Sequence, residues 1–274
     1  MLLTDSHCHF DFAAFGPDSG TERAEHWLRA QAVGVHRLVI PGIEAAQWPT
    51  LPKLCAAHNG LYYALGLHPW WLAKAESALE KTNSGLANAA LDWPSELTAA
   101  LERAKDDPRW VAVGEIGLDK HLPLALEQQE AAFITQLKLA IEYQKPVIIH
   151  SNGTHDRVLK WLRRYPVIGG VVHGFSGSRQ QAETFWQLGL HIGVGGTITY
   201  SRANKTRQAI AALPIEALVL ETDAPDMPLS GFQGQPNHPT QLPLVLSALA
   251  ALRQTDEANL SLQLERNVER LFGW

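Results

Sequence analysis

The stretch "PVIIH" (146–150) runs three β-branched residues together and ends them on a histidine. A half-exposed strand alternates apolar and polar positions. An unbroken apolar run is what a parallel sheet covered on both faces requires. The flanks agree. Upstream, "LEQQEAAFITQLKLAIEY" (126–143) sets Phe133, Leu137 and Ala140/Ile141 on one side of a helix. Downstream, 154–164 is again helical in pattern. Helix, buried strand, helix is the building unit of a parallel α/β fold.

Seven further runs behave like the first: Leu2–Ser6, "HRLVIPG" (36–42), "LYYALGLH" (61–68), "WVAVGEIG" (110–117), "GGVVHGF" (169–175), "HIGVGGT" (191–197) and "ALVLETDAP" (217–225). Helical patterns cover roughly 22–33, 44–58, 94–106, 178–188, 203–213 and 241–253. Eight strands, each followed by a helix, predict a (β/α)8 TIM barrel with its active site at the C-terminal ends of the strands. Segment 257–272 is expected as an extra C-terminal helix. No linker, solenoid repeat or low-complexity tract interrupts the series, so residues 1–274 read as a single domain. One long irregular stretch, roughly 69–109, holds Trp70-Trp71 and "EKTNSGLANAALDW" (80–93) and should project from the C-terminal face.

The totals narrow the function. With 46% hydrophobic and 19% charged residues, the 274-residue chain can bury a sizeable core. A net charge of −5 gives no footprint for tight, non-specific duplex binding. Cys8 and Cys55 make no disulfide framework. No secretory leader is recognisable, and no run approaches the ~18 apolar residues of a membrane span. A cytoplasmic location is expected, which makes the sequons at Asn152 and Asn259 chance matches.

Polar residues gather at the strand ends. Of twelve histidines, His7, His9, His68, His150 and His173 lie there, joined by Glu115, Glu221 and Asp223. Alternation puts Asp5, His7 and His9 of "DSHCH" on one face, and likewise pairs Val113 with Glu115, Ile148 with His150, and Glu221 with Asp223. One histidine at a strand end is more often a hydrogen-bonded rim residue than a ligand, and a lone carboxylate there is often a helix cap. Their convergence on one mouth is different, because such a cluster is costly to bury without a cation. Four imidazole nitrogens and two carboxylates suit Zn²⁺, Mn²⁺ or a similar ion better than Ca²⁺. Six ligands exceed the usual three of a catalytic ion. Two ions ~3.5–4 Å apart, sharing one carboxylate, use all six and leave a bridging water.

At these positions the chain resembles the TatD-type metal-dependent hydrolases, nearly end to end. The matching motifs are "DSHCHFDF" (5–12), "GLHP" (66–69), "VGEIGLD" (113–119), "VIIHS" (147–151), "HGFSGS" (173–178), "GVGGTITY" (193–200) and "ETDAPDMP" (221–228). The resemblance implies a cytoplasmic TIM barrel of the amidohydrolase kind, with phosphodiesterase or deoxyribonuclease activity of the 3'-5' exonuclease type. It implies two divalent metal ions (Zn, Mn, Mg or similar). His7, His9 and Asp223 would hold the first, His150 and His173 the second, and Glu115 would bridge them. Three departures bear on substrate: Asn152 stands where an arginine is frequent, Lys120-His121 follow "GLD" where an aromatic is common, and His238 occupies a frequent arginine position.

The expected reaction is phosphodiester hydrolysis, in single-stranded or frayed DNA or in a small phosphodiester. The bridging water supplies hydroxide, and Asp223 orients it and takes its proton. His68 is expected to meet the phosphate or leaving oxygen, Trp70 to stack a base, and Asn152 and Lys205 to touch substrate, with Arg179, Arg202 and Arg207 adding to a basic rim. The competing expectations are an amidase or deaminase and a barrel that only binds. Many barrels of the first kind carry a carboxylated lysine on strand four, where this chain has Glu115, with Lys120 five residues on. The second would be marked by a missing ligand, and none is missing. No membrane partner is expected, and a monomer is sufficient for this chemistry.

Overall fold

The computed structural model describes residues 1–17, 20–74 and 92–274. Eight parallel strands pair in sequence order: β1 (Leu3–Asp5), β2 (Val35–Pro41), β3 (Leu61–Leu65), β4 (Trp110–Asp119), β5 (Val147–Asn152), β6 (Gly170–Val172), β7 (Leu190–Val194) and β8 (Leu218–Leu220). The Ser6 amide donates to the Leu220 carbonyl at 2.9 Å, which brings β1 beside β8 and closes a (β/α)8 barrel. Around it lie α1 (Glu22–Ala32), α2 (Leu51–Ala57), α3 (Trp93–Ala104), α4 (Leu126–Glu142), α5 (His155–Arg164), α6 (Arg179–Gln187), α7 (Asn204–Ala212) and α8 (Leu242–Arg253), with α9 (Glu257–Phe272) as the extra C-terminal helix.

Burial explains the apolar runs. Val147, Ile148 and Ile149 are all fully buried, because β5 faces the barrel interior on one side and the helical ring on the other. A smaller inner cluster of Val39, Ala64, Ala112, Ile148, Val171 and Val219 fills the barrel, while the larger cluster packs helices onto it.

The strand boundaries differ from the sequence expectation in one systematic way. Strands β1, β3, β6 and β8 end before their polar residues, so His7, His9, His68, His173, Glu221 and Asp223 lie on the loops just beyond the sheet. Of the expected strand-end set, only Glu115 and His150 are within strands. The helix expected over 44–58 is shortened to Leu51–Ala57. Residues 75–91, the middle of the expected irregular stretch, lie outside the described residues, and Trp93–Ala104 of it form α3.

Helix α9 closes the barrel's N-terminal end against β1. The Thr4 hydroxyl donates to Glu265 Oε2 at 2.9 Å. Burial pushes the Glu265 carboxyl up from its ordinary 4.5 to about 7. The folded chain therefore favours the protonated form, and stability should fall as pH rises from about 4.5 through about 7. Glu265→Gln keeps an acceptor for Thr4 without the charge. It should raise Tm relative to wild type at pH 8 and leave it unchanged near pH 4.5. Equal differences at the two pH values in thermal melts would contradict this.

Candidate metal centre

Backbone hydrogen bonds beyond the sheet fix the loops that carry the polar residues. The His9 amide donates to Ala224 O at 2.8 Å, the Asp223 amide to His7 O at 2.8 Å, the Glu115 amide to Gly42 O at 2.8 Å, and the His173 amide to Ile149 O at 3.1 Å. Asp5 braces the closure: its Oδ1 accepts the Thr222 amide at 2.9 Å and its Oδ2 the Thr222 hydroxyl at 2.6 Å. It shares the first motif with His7 and His9 but turns to the neighbouring loop. The glycines of "GLH" and "VGEIG" are also explained. A Cβ at Gly66 would stand 2.7 Å from the Gly114 carbonyl carbon, so only glycine lets the end of β3 approach β4 and bring His68 to Glu115.

Glu115 is the hub. Its Oε2 lies 3.3 Å from His7 Nε2 and 3.7 Å from His9 Nε2. Its Oε1 lies 2.7 Å from His173 Nε2, 3.2 Å from His150 Nδ1 and 3.3 Å from His68 Nε2. Asp223 Oδ1 stands 3.3 Å from His7 Nε2 and 3.5 Å from His9 Nε2. Three ligand groups result, each compact enough to hold a divalent ion: His7/His9/Asp223, His7/Glu115/His173 and His68/Glu115/His150.

The donor chemistry fits such an ion. His7 Nε2 and Asp223 Oδ1 are buried 3.3 Å apart, yet neither is satisfied by a well-formed hydrogen bond, so both have donor capacity for a cation. Burial alone would favour the neutral carboxyl of Glu115, but the imidazoles of His173, His68 and His7 outweigh it and hold the group well below its usual range. Asp223 behaves alike: burial is outweighed by His7, His9 and His173, and the carboxyl is depressed. Two ionised carboxylates in a buried imidazole cage are the electrostatic setting a cation satisfies.

Hydrogen bonds sort the histidines further. His68 Nδ1 accepts the Trp70 amide at 3.0 Å, so its proton sits on Nε2 and faces the cavity as a donor. That stabilises the turn and leaves His68 a proton-bearing nitrogen at the mouth, a donor rather than a member of the third ligand group.

His9, His68, Glu115, His150, His173 and Asp223 line a cavity of about 360 Å³ together with Phe12, Ile43, Trp70 and Asp226, with His7 buried behind them. Trp70 is 48% exposed and forms part of the wall, whereas Trp71 packs against the core. Asn152 and Lys205 are not among the lining residues. The Asn152 amide donates to Asp119 Oδ2 at 3.2 Å, and Lys205 is exposed at the start of α7. The expected basic rim is dispersed too: Arg179 pairs with Glu183 at 2.6 Å, and Arg207 donates to the Ile198 carbonyl. His238 Nε2 lies 2.9 Å from His26 Nδ1, in a packing contact away from the cavity. The Lys120 side chain lies over Gly153, and no lysine lines the cavity among the described residues.

Four residues escaped the sequence reading. Phe12, Ile43 and Asp226 line the wall from loops, with no periodicity to flag them. Asp119 accepts from His150 Nε2 at 3.1 Å. It lies on β4 at the same alternation as Glu115, so parity carried two alternations further along the strand could have found it. Glu221, expected beside Asp223, is fully buried; it accepts the Gly174 amide at 2.5 Å, and burial lifts it to about 8. A Cβ at Gly193 would collide with its carboxylate, which accounts for glycine in "GVGGT".

A parallel barrel with an imidazole–carboxylate cluster at its C-terminal mouth belongs with the metal-dependent hydrolases. A sequence model of the family described as TatD related DNase matches residues 4–273, and the chain belongs to that family. It is 47% identical over 272 residues to the uncharacterized metal-dependent hydrolase YjjV of Escherichia coli K12, covering 98% of this chain and 97% of that protein. It is 32% identical over 255 residues to the 3'-5' ssDNA/RNA exonuclease TatD of Klebsiella pneumoniae, covering 89% of each. The crystal structure of E. coli YjjV superposes with a TM-score of 0.83 at 45% identity, over 99% of this chain and 98% of that one. A Saccharomyces cerevisiae amidohydrolase shares the fold at TM-score 0.82 and 19% identity, over 99% of this chain and 100% of that one. Among the described residues no helix is long and apolar enough to cross a membrane.

Proposed function

We propose that this hydrolase cleaves phosphodiesters at a two-metal centre, acting on unpaired nucleic-acid ends or on a small phosphodiester. The observation that carries the proposal is the double face of Glu115, whose two oxygens meet two separate imidazole groups, His7/His9 and His150/His173. His7, His9 and Asp223 would hold one divalent ion, His150 and His173 the other, with Glu115 shared. The ions would supply Lewis acidity toward the phosphate and acidify the attacking water. Asp223, held ionised by the imidazoles around it, would orient that water and accept its proton. His68 Nε2–H hydrogen-bonds a phosphate or leaving oxygen. Trp70, Phe12 and Ile43 provide the apolar wall on which a base stacks, worth ~1–3 kcal/mol per base. The Klebsiella relative's name, a single-strand exonuclease, is consistent with an unpaired end.

The test is a metal-reconstituted assay comparing single-stranded DNA, duplex DNA, RNA and small phosphodiesters with carboxylic esters and amides. Phosphodiester turnover with preference for unpaired ends supports the proposal. Turnover confined to amides or carboxylic esters removes it.

A further inference from the structure

Asp119 is held on every side. Its amide donates to Gln129 Oε1 at 2.8 Å, and Gln129 Nε2 donates back to the Asp119 carbonyl at 3.0 Å. Its Oδ1 accepts the His121 amide at 2.8 Å. Its Oδ2 faces two nitrogens, Asn152 Nδ2 at 3.2 Å and His150 Nε2 at 3.1 Å. An ionised carboxylate only accepts, so His150 must turn its Nε2–H toward Asp119. Nδ1 then faces His173 Nε2 at 3.2 Å and Glu115 Oε1 at 3.2 Å, and it is the nitrogen whose lone pair a cation among these groups would take.

We propose that Asp119, clamped by Asn152, the His121 amide and Gln129, is the positioning residue that fixes the tautomer of His150 and so presents Nδ1 to the second ion. On this account Asn152 serves the metal centre through Asp119 instead of touching substrate. The proposal rests on the two-ion reading of the site given above. Carboxylates that hold the far nitrogen of a ligating histidine set its ring orientation and its basicity, and losing one costs metal affinity.

Asp119→Asn shows why a carboxylate is needed. Three donors converge on two acceptor oxygens, and an amide converts one oxygen to a donor. Turned one way, the new NH2 opposes the His121 amide. Turned the other, it opposes Asn152 and favours the His150 tautomer with Nδ1–H, which cannot ligate.

The test uses the full chain, labelled with ¹⁵N-histidine and titrated with Zn²⁺, and reads both ring-nitrogen spectra and affinity by calorimetry. Wild type should bind two ions, with His150 bound through Nδ1 and protonated at Nε2. Asp119→Asn should weaken the second ion by about 10–100-fold and leave the first unchanged. Asn152→Ala, which removes one clamp at the surface, should weaken the same ion by on the order of threefold. A merely structural role would lower Tm without a selective loss of one ion or a change of tautomer. If Asp119→Asn does not fold, the wild-type spectrum and Asn152→Ala decide. Ligation of wild-type His150 through Nε2, or both variants binding two ions with wild-type affinity, overturns the role of Asp119 alone. Wild type that binds fewer than two ions overturns the two-ion reading, and this proposal with it.

Discussion

Glu115→Ala should yield a protein that binds fewer than two divalent ions and has lost on the order of 10³-fold or more in turnover, since a metal pair contributes several kcal/mol to the transition state. The size of the effect follows from the hub geometry. One side chain, 2% exposed, faces five imidazole nitrogens through two oxygens. On the two-ion proposal its removal takes a ligand from both ions at once, and it leaves buried imidazoles without their counter-charge. Glu115→Gln separates these effects. It fills the same volume and keeps one oxygen, so it can serve one ion but not both, and the stoichiometry should fall toward one. Metal content of the folded variants, measured after saturation and gel filtration, is the check. Two tightly bound ions in Glu115→Ala would show that the carboxylate is not shared.

Asp223→Asn should do the opposite, keeping its contents and losing its chemistry. Asparagine retains one coordinating oxygen and the side-chain shape but cannot accept the proton of the attacking water. With phosphodiester substrates, kcat should fall on the order of 10²-fold or more while substrate affinity and much of the metal are retained. Metal content, KM and kcat measured on one preparation distinguish this from simple loss of the site. Near-normal kcat would remove Asp223 from proton transfer.

Much of the architecture was written in local pattern. Continuous apolar runs such as "PVIIH" report burial on two faces, and the 3.6-residue stripe of 126–143 reports a helix on a sheet. These are nearest-neighbour properties that a sequence states directly. The six proposed ligands were legible because they sit at or just past strand ends, and the barrel brings every strand end to one mouth. What escaped depends on loops. Parity placed Asp5 with His7 and His9, but β1 ends at Asp5, and the following loop turns its carboxylate to Thr222. Asn152, at a position where the family frequently has arginine, and Lys205, in the expected basic rim, read as substrate contacts, yet one donates to Asp119 and the other stands outside the cavity wall. Side-chain direction beyond a strand end is set by tertiary hydrogen bonds, and no periodicity encodes those.

The seam between the first and last strands has a consequence for the protein's synthesis. His7 and His9 leave the ribosome well before Asp223, whose amide anchors to the His7 carbonyl. A domain of this size generally gains its long-range contacts only when the distant segment has emerged. A growing chain therefore holds the proposed first ion site incomplete until β8 and the Asp223 loop have appeared. Hydrolytic competence is thereby withheld from the nascent chain by the topology of the barrel.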